Sequence, residues 1–266
     1  MSLQVCLAGA TGWAGSALAR GIARSDDLTL VAGVSRTHAG RTLGDVLGVP
    51  ALAAPLYRSA AEALATPCDV FVEYTHPDTA LANVYAAISL GVPVVIGTSG
   101  LSNDDLAAID ARAREHQVGV LAVGNFSLAS LVLQKCAELA ARVLPQFEII
   151  DYASASKPDA PSGTARELAH RLGQIRAPEV TVPIAETQGP VETRGATLNG
   201  VQVHAVRLPG HVLSVEVLLG MLDEKVCLRY DAGTSAEPYV AGALLAIHKV
   251  SGLVGLRRGL DSVMEF

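Results

Sequence analysis

Hydrophobic residues in the first half of the chain occur in short runs, and each run ends in glycine or polar residues. These runs are residues 3–8, 28–35, 68–75, 92–100 and 118–127. Strands of a parallel sheet that is covered on both faces have this nearly continuous apolar character. Helical spacing of the apolar residues between them predicts helices at 16–25, 77–91 and 101–117. The first half is therefore predicted to form a parallel sheet with helices on both faces.

The pattern changes in the second half, where polar and apolar residues alternate with a period of two. A helix at 128–144 is followed by a strand at 147–153 and a helix at about 163–173. Alternating strands are then predicted at 180–185, 201–208, 212–220 and 224–233, before a last helix at 238–252. Alternation indicates a mixed or antiparallel sheet with one exposed face. The chain is thus predicted to be an α/β protein, in which the parallel sheet is followed by an α+β domain with a mixed sheet.

A glycine-rich turn, GATGWAG, joins the first predicted strand to the first helix. Gly9 allows a tight turn, Gly12 lets the backbone approach a pyrophosphate, and Gly15 lets the helix pack closely on the strand. This position is typical of a Rossmann dinucleotide-binding domain, although a tight turn without a ligand has the same glycines. The first half is therefore predicted to be a dinucleotide-binding domain, with the C-terminal tail packed back on it.

The end of the second predicted strand indicates which dinucleotide is bound. An NAD-specific site carries an acidic residue here, which binds the ribose hydroxyls. This chain has Ser35, Arg36 and Thr37 instead, with Arg41 nearby. Hydroxyl and guanidinium groups suit a 2′-phosphate, and no carboxylate repels it. NADPH is therefore the predicted cofactor. The alternative is that Arg36 is a solvated surface residue, in which case NADH is also possible.

Further candidates for cofactor binding follow the strands of the predicted parallel sheet. The carboxyl ends of such strands meet at one edge, where the nicotinamide is expected to lie. His76 stands at a helix start, so it has two interpretations, contact with the cofactor or no role. The candidates besides the glycines and residues 35–37 are Thr11, Trp13, Ala14, Thr75, His76, Gly97, Thr98, Ser99, Asn125, Phe126 and Ser127.

Composition excludes several classes of protein. The chain is 50% hydrophobic and 17% charged, with a formal net charge of −6. No run of Lys or Arg offers the basic surface that nucleic acids and anionic membranes require. No leader or membrane segment is recognised, so a cytoplasmic protein is expected. The histidines show no metal-ligand spacing, and no metal site is expected. Buried free thiols are predicted for Cys6, Cys68, Cys136 and Cys227.

The segment DYASASKPDAPSGTA places a lysine shortly before a predicted helix. Helix N-termini present unpaired N–H groups, and Ser162, Gly163 and Thr164 add two hydroxyls and room for close approach. Lys157 supplies a positive charge, and Asp159 is expected to fix the loop by accepting backbone N–H bonds. The loop is therefore predicted to bind the carboxylate of a small-molecule substrate. An ordinary capped helix with a surface lysine is the alternative.

The sequence KPDAPSGTA resembles the K-x-D-A-P-S-G-T-A signature of the 4-hydroxy-tetrahydrodipicolinate reductase family. The similarity extends over nearly the whole chain, through GATGWAG, DVFVEYTHP, VVIGTSG, NFS, EII, VRLPG and GALLA. The resemblance implies an NAD(P)H-dependent reductase of lysine and diaminopimelate biosynthesis, which transfers hydride to a small carboxylated imine or conjugated imine. It implies a Rossmann domain at 1–126, completed by 240–266, and a substrate-binding and oligomerisation domain at 127–239. It also implies a homotetramer joined through the mixed sheet, with a homodimer as the alternative. It also assigns the substrate carboxylate to Lys157, Ser162, Gly163 and Thr164.

The chain departs from the family pattern where the proton donor is expected. Family members carry a histidine pair four and three residues before the signature lysine, and this chain has Ala153 and Ser154 there. Three alternatives follow: Lys157 donates the proton, Tyr152 or Ser154 relays one from water, or the substrate is another imine of the amino-acid dehydrogenase type. Lys157 and Ser154 are the candidate catalytic residues. A catalytically silent nucleotide-binding relative is the alternative to an enzyme.

Overall fold

The computed structural model describes residues 2–266. Its strands are β1 (Leu3–Ala8), β2 (Leu28–Val34), β3 (Leu56–Tyr57), β4 (Val70–Glu73), β5 (Val94–Ile96), β6 (Gly119–Ala122), β7 (Gln146–Ala153), β8 (Ala196–Leu198), β9 (Val201–Arg207), β10 (Leu213–Met221), β11 (Glu224–Ala232) and β12 (Gly255–Arg258). Its α-helices are α1 (Trp13–Ala23), α2 (Leu43–Leu47), α3 (Ala60–Ala63), α4 (Pro77–Ser89), α5 (Asn103–Glu115), α6 (Leu128–Ala141), α7 (Gly163–Ile175) and α8 (Val240–Val250). The chain divides into two compact units, residues 1–128 with 236–266, and residues 129–235.

The first unit is built on a seven-stranded sheet in the order β12-β6-β5-β4-β1-β2-β3. All of its strand pairs are parallel, as predicted. The central strands are buried on both faces, so that Leu7, Phe71 and Leu121 have no exposed surface. The C-terminal tail adds β12 beside β6, with Gly255 opposite Gly119. Because all strands run the same way, their carboxyl ends lie along one edge, where β1, β2, β4, β5 and β6 deliver the predicted cofactor residues.

The second unit is built on a five-stranded mixed sheet in the order β11-β10-β7-β9-β8. β7 is parallel to β9 and antiparallel to β10, which confirms the predicted mixed sheet. The burial of β7 alternates, and its buried positions pack with α6 and α7 in a core that includes Ile149, Leu168 and Val217. The opposite face of β7 is half-buried. The carboxyl end of β7 leads directly into the loop that carries the lysine of the signature.

Several predicted elements differ from the observed ones. Residues 180–185 do not form a strand; residues Ile184–Glu186 form a 3-10 turn instead. Pro183 lacks the backbone N–H that a sheet ladder uses, which explains the difference. Helix α1 begins at Trp13, three residues before its predicted start. The short elements β3, β8, α2 and α3 have too few residues to give a periodic signal.

The cysteines are free, but their predicted burial is only partly correct. Cys6 is buried and Cys68 is half-buried, whereas Cys136 and Cys227 are exposed. Cys136 lies on α6 and Cys227 on β11, at positions turned away from the core. The thiols of Cys6 and Cys68 are hydrogen-bonded, and this bond together with burial raises the pKa of Cys6. No helix in residues 2–266 has the length and apolar composition of a membrane span.

Candidate active site

The glycine-rich turn after β1 has the geometry of a phosphate-binding loop. Gly9 has a φ of +78°, and a Cβ on it would lie 2.2 Å from the Tyr74 carbonyl oxygen. A Cβ on Gly15 would lie 2.1 Å from the Gly9 carbonyl oxygen, so α1 packs directly against the turn. Gly12 is the N-cap of α1 and has no side chain to cap it. The first N–H groups of the helix are therefore available to an anionic ligand.

The hydroxyl groups after β2 are organised by the same turn. Ser35 is 7% exposed, and its Oγ lies 2.9 Å from Thr11 Oγ1 and 3.5 Å from Thr37 Oγ1. Arg36 is exposed and has no hydrogen-bond or ion-pair partner among residues 2–266. The structure thus places a free guanidinium beside a hydroxyl cluster and the glycine turn. This arrangement suits a phosphorylated ribose.

Glu73, at the carboxyl end of β4, is a buried carboxylate that the sequence reasoning missed. It has no exposed surface and accepts hydrogen bonds from the Thr75 backbone N–H at 2.7 Å and from Asn83 Nδ2 at 2.9 Å. The hydroxyls of Thr75 and Thr98 also donate to it. Burial raises the pKa of Glu73, while the hydrogen bonds from Thr75 and Asn83 oppose this shift. Glu73 therefore holds two predicted cofactor residues, from β4 and β5, in one network.

An aromatic pair lies beside this network. The rings of Tyr74 and Phe126 have centroids 5.6 Å apart, and a Cβ on Gly97 would lie 2.2 Å from Tyr74 Cε1. Only glycine fits at position 97 for this reason. The Tyr74 hydroxyl is buried and has no hydrogen-bond partner among residues 2–266. Burial also raises the pKa of Tyr74.

The remaining predicted cofactor residues differ widely in exposure. Ser127 is buried, and its backbone N–H donates to Asn125 Oδ1 at 2.9 Å. His76 is largely exposed and lies 3.2 Å from Asp78 Oδ2. Trp13 is 61% exposed and Ser99 is exposed, whereas Ala14 is half-buried. All of them nevertheless lie at the carboxyl ends of the parallel strands or in the glycine turn.

In the second unit, the signature loop is fixed by a fully buried aspartate. Asp151, on β7, accepts hydrogen bonds from the Ser162 backbone N–H at 2.8 Å and from Ser162 Oγ at 2.6 Å. Arg207, at the end of β9, donates to Asp151 Oδ2 at 2.7 Å and to the Asp159 carbonyl oxygen at 2.8 Å. Asp151 and Arg207 therefore connect two strands to the middle and the C-terminal end of the loop. We call residues 154–164 the clamp loop.

This geometry corrects two predicted roles. Ser162 is 1% exposed, and its Oγ donates to Asp151 and accepts from the Ala165 N–H, so this hydroxyl holds the loop and does not face a ligand. No other residue among 2–266 donates a backbone N–H to the Asp159 carboxylate, which lies 2.8 Å from Lys157 Nζ and 4.0 Å from Arg166. The hydrogen bond from Lys157 holds the pKa of Asp159 below its usual range. Buried Asp151, not Asp159, accepts the backbone N–H bond that fixes the loop.

The open groups of the clamp loop remain as predicted candidates for a substrate carboxylate. Gly163 is exposed at the start of α7, and Thr164 is half-buried with no hydrogen bond to its hydroxyl among residues 2–266. The Lys157 side chain is 33% exposed. Ser154 Oγ lies 2.9 Å from Ser156 Oγ. The loop thus joins free backbone donors, a hydroxyl and an accessible ammonium group, which together suit an anionic ligand.

The signal for the missed residues was present in the strand patterns. Residues 147, 149 and 153 of β7 are buried and apolar, and Asp151 lies on the same buried phase. Glu73 likewise ends an otherwise apolar strand. A charged residue at a buried position of a strand needs an ion-pair or hydrogen-bond partner, although the sequence does not identify that partner. Within residues 2–266, no group of three or more His, Cys, Asp or Glu residues is arranged to hold a metal ion.

Comparison with known proteins covers both units. Residues 3–126 match the family model for the N-terminus of dihydrodipicolinate reductase, and residues 129–261 match the model for its C-terminus. The 4-hydroxy-tetrahydrodipicolinate reductase of Moorella thermoacetica is 36% identical, over 100% of this chain and 99% of the relative. That of Synechococcus elongatus is 34% identical, over 98% of each chain.

Solved structures give the same result. The dipicolinate-bound dihydrodipicolinate reductase from Paenisporosarcina sp. TG-14 has a TM-score of 0.86 and 26% identity, over 99% of this chain and 100% of that one. An amine dehydrogenase from Mycobacterium smegmatis, with a TM-score of 0.69 and 14% identity over 100% and 97% of the chains, shares the fold alone. The resemblance drawn from the signature loop is confirmed, and the chain belongs to the dihydrodipicolinate reductase family.

Proposed function

We propose that this protein is an NADPH-dependent 4-hydroxy-tetrahydrodipicolinate reductase of lysine and diaminopimelate biosynthesis. The observation that carries the proposal is the clamp loop, in which buried Asp151 and Arg207 fix free donors and an accessible Lys157 at one helix start. A protein that only bound a nucleotide would have no use for this second anion site. Full-length identity of 31–36% to reductases of this name supports the same activity.

The residues of the first unit fit a nicotinamide dinucleotide. The uncapped start of α1 and the close approach that Gly12 allows suit the pyrophosphate, since a Cβ on Gly12 would already lie 3.2 Å from the Gly9 oxygen. Glu73 orients Thr75 and Thr98, which would hold the nicotinamide half of the cofactor. When bound, the cofactor supplies a hydride ion.

The residues of the second unit bind and orient the substrate. Lys157, the Gly163 backbone and the Thr164 hydroxyl neutralise a carboxylate, while Asp151 and Ser162 keep the loop in place. Because these donors are already fixed, they lose little conformational entropy when the substrate binds. The barrier is then lowered by the orientation of the substrate. Loss of the 4-hydroxyl and a neighbouring hydrogen as water gives the conjugated imine, and its reduction then requires the hydride and one proton.

The activity is tested by following NADPH oxidation with the precursor of dihydrodipicolinate, beside a panel of cyclic imino acids. We expect turnover of 4-hydroxy-tetrahydrodipicolinate. Turnover of another imine alone would reassign the substrate. Nucleotide binding without turnover of any compound would identify a catalytically silent relative.

The preference for NADPH is tested at Arg36. A charge-assisted hydrogen bond to a phosphate contributes about 1.5–3 kcal/mol, so Arg36→Ala should weaken NADPH binding about 10–100-fold. NADH binding should remain unchanged because NADH lacks the 2′-phosphate. Fluorescence titration with both cofactors measures this difference.

Arg257→Ala is the matched control, because Arg257 is exposed on β12 at the opposite edge of the sheet from β2. An equal loss for NADH and NADPH in Arg36→Ala would contradict the assignment of Arg36 to the 2′-phosphate.

We further propose that the chain assembles as a homotetramer, or as a homodimer, through the sheet of the second unit. Helices α6 and α7 pack on one face of this sheet, and the other face of β7 is half-buried and includes Ile150 and Tyr152. Light scattering on the purified protein should give the mass of four chains or of two. A monomer at micromolar concentration would contradict this assembly.

A further inference from the structure

The proposed reduction needs a proton donor beside the clamp loop. Hydride addition to the carbon of a C=N bond moves an electron pair to nitrogen, and this nitrogen then takes one proton. At the end of β7 the chain has Ala153 and Ser154, and neither side chain titrates near neutral pH. The donor therefore has to come from a neighbouring element.

The loop between β9 and β10 lies against this end of β7. The Leu208 backbone N–H donates to the Ala153 carbonyl oxygen at 3.2 Å, and the Ser154 N–H donates to the Val212 carbonyl oxygen at 3.3 Å. The Ser154 carbonyl oxygen in turn accepts from the Lys157 N–H at 3.0 Å. Residue 211 is thus adjacent to Val212, whose carbonyl oxygen is bonded to Ser154, and Ser154 is bonded in turn to Lys157. Residue 211 is a histidine.

The His211 ring has a fixed place at this edge. It is half-buried and lies against the Tyr152 ring, with centroids 5.3 Å apart and an angle of 34° between the planes. Asp231 faces it from β11. Hydrogen bonds from Arg229 and Ser214 hold the pKa of Asp231 at about 2, and the nearby His211 adds to this shift. Tyr152 from β7 and Asp231 from β11 therefore lie near the imidazole, and Arg229 contacts both of them.

The other titratable groups of this region already have hydrogen-bond or ion-pair partners. The Tyr152 hydroxyl donates to Glu216 at 2.9 Å, and burial and this bond raise the pKa of Tyr152, which makes it a poor acid at neutral pH. Lys157 pairs with Asp159, and Arg207 pairs with Asp151.

The other two histidines of the second unit lie elsewhere. His170 is exposed on α7. His204 lies 2.7 Å from Glu148, three residues before the end of β9. His211 is therefore the imidazole at the clamp end of the sheet, and imidazole is the side-chain group that exchanges protons near neutral pH.

We infer that His211 is the catalytic proton donor of this enzyme, an inference that rests on the proposed reductase function. The step balances as follows: the electrophilic carbon of the C=N bond, or of the conjugated C=C–C=N system, gains the hydride with its two electrons. The displaced π electrons leave a lone pair on nitrogen, and the imidazolium N–H proton forms the new N–H bond. The imidazole is left neutral and recovers its proton from water. NADPH becomes NADP⁺.

The test is the pH dependence of kcat/KM in His211→Gln. General acid catalysis contributes at least about 10²-fold, so this variant should lose about 10²-fold in kcat/KM. In the wild type, kcat/KM should fall as the pH rises and the donor loses its proton, which gives the pH profile a descending limb. His211→Gln should lack this limb between about pH 6 and 9. His170→Gln, an exposed histidine on the same unit, is the matched control and should keep both the rate and the limb.

Two further measurements separate a chemical role from a structural one. Binding of dipicolinate, an unreactive dicarboxylate, should be unchanged in His211→Gln, which shows that the clamp loop is intact. Adding Ser154→His to His211→Gln should restore the limb, because it returns an imidazole to the same edge. A His211→Gln rate and limb equal to those of the wild type would overturn the assignment and leave the reductase function standing. A wild type that oxidises no NADPH would overturn both.

Discussion

Asp151→Asn should destabilise the second unit by about 3–5 kcal/mol, the usual cost of removing one partner from a buried ion pair. Asp151 has no exposed surface and Arg207 has 17% of its side chain exposed, so the substitution leaves a guanidinium charge without compensation. The asparagine amide keeps one acceptor oxygen and replaces the other with a donor NH2, so one of the two Ser162 hydrogen bonds also loses its acceptor. Such a loss is a large part of a domain's total stability.

Urea denaturation followed by far-UV circular dichroism measures this effect, as a shift of the unfolding midpoint at an unchanged m-value. Asp223→Asn is the matched control, since Asp223 is exposed in the turn between β10 and β11, and its stability should change by less than about 0.5 kcal/mol. Replacing both partners, as Asp151→Asn with Arg207→Met, should recover part of the loss because no unpaired charge remains. A single variant as stable as the wild type would show that the pair does not fix the clamp loop.

The sequence allowed most of the strands of both sheets to be located because their apolar runs have different periods. Continuous runs such as 92–100 identify strands buried on both faces, and alternation such as FEIIDYA identifies a strand with one covered face. The clamp loop was also predictable, since its signature is local. Each of these features depends on residues that lie close together along the chain.

The partners of the buried acids could not be predicted in the same way. Asp151 and Arg207 are separated by 56 positions, and only the parallel pairing of β7 with β9 brings them together. Glu73 meets Thr98 across two parallel strands, 25 positions apart. A strand pattern indicates that such a charge is buried, but its partner depends on strand order. For this reason the sequence favours Asp159, the acid within the loop, for the role that Asp151 has in the structure.

Lys157→Ala should lower kcat/KM by about 10²–10³-fold while leaving the stability nearly unchanged. The lysine lies 2.8 Å from Asp159 in a pair that is about one-third exposed, and pairs of this kind contribute little to stability. Its contribution to binding is larger because a substrate carboxylate needs a compensating charge. Without the lysine, the Asp159 carboxylate, whose pKa Lys157 now holds below the usual range, remains in the loop and repels the substrate.

This repulsion makes the prediction specific to the clamp loop. The double variant Lys157→Ala with Asp159→Asn should bind dipicolinate more tightly than Lys157→Ala alone, since the uncompensated negative charge is gone. Lys225→Ala, on the exposed part of β11, is the matched control for the loss of one lysine and should bind like the wild type. Isothermal titration with dipicolinate and steady-state rates with NADPH together measure these differences. If Lys157→Ala kept the wild-type affinity for dipicolinate, the free donors at the start of α7 would hold the carboxylate without the lysine, and the ammonium group would have no place in substrate binding.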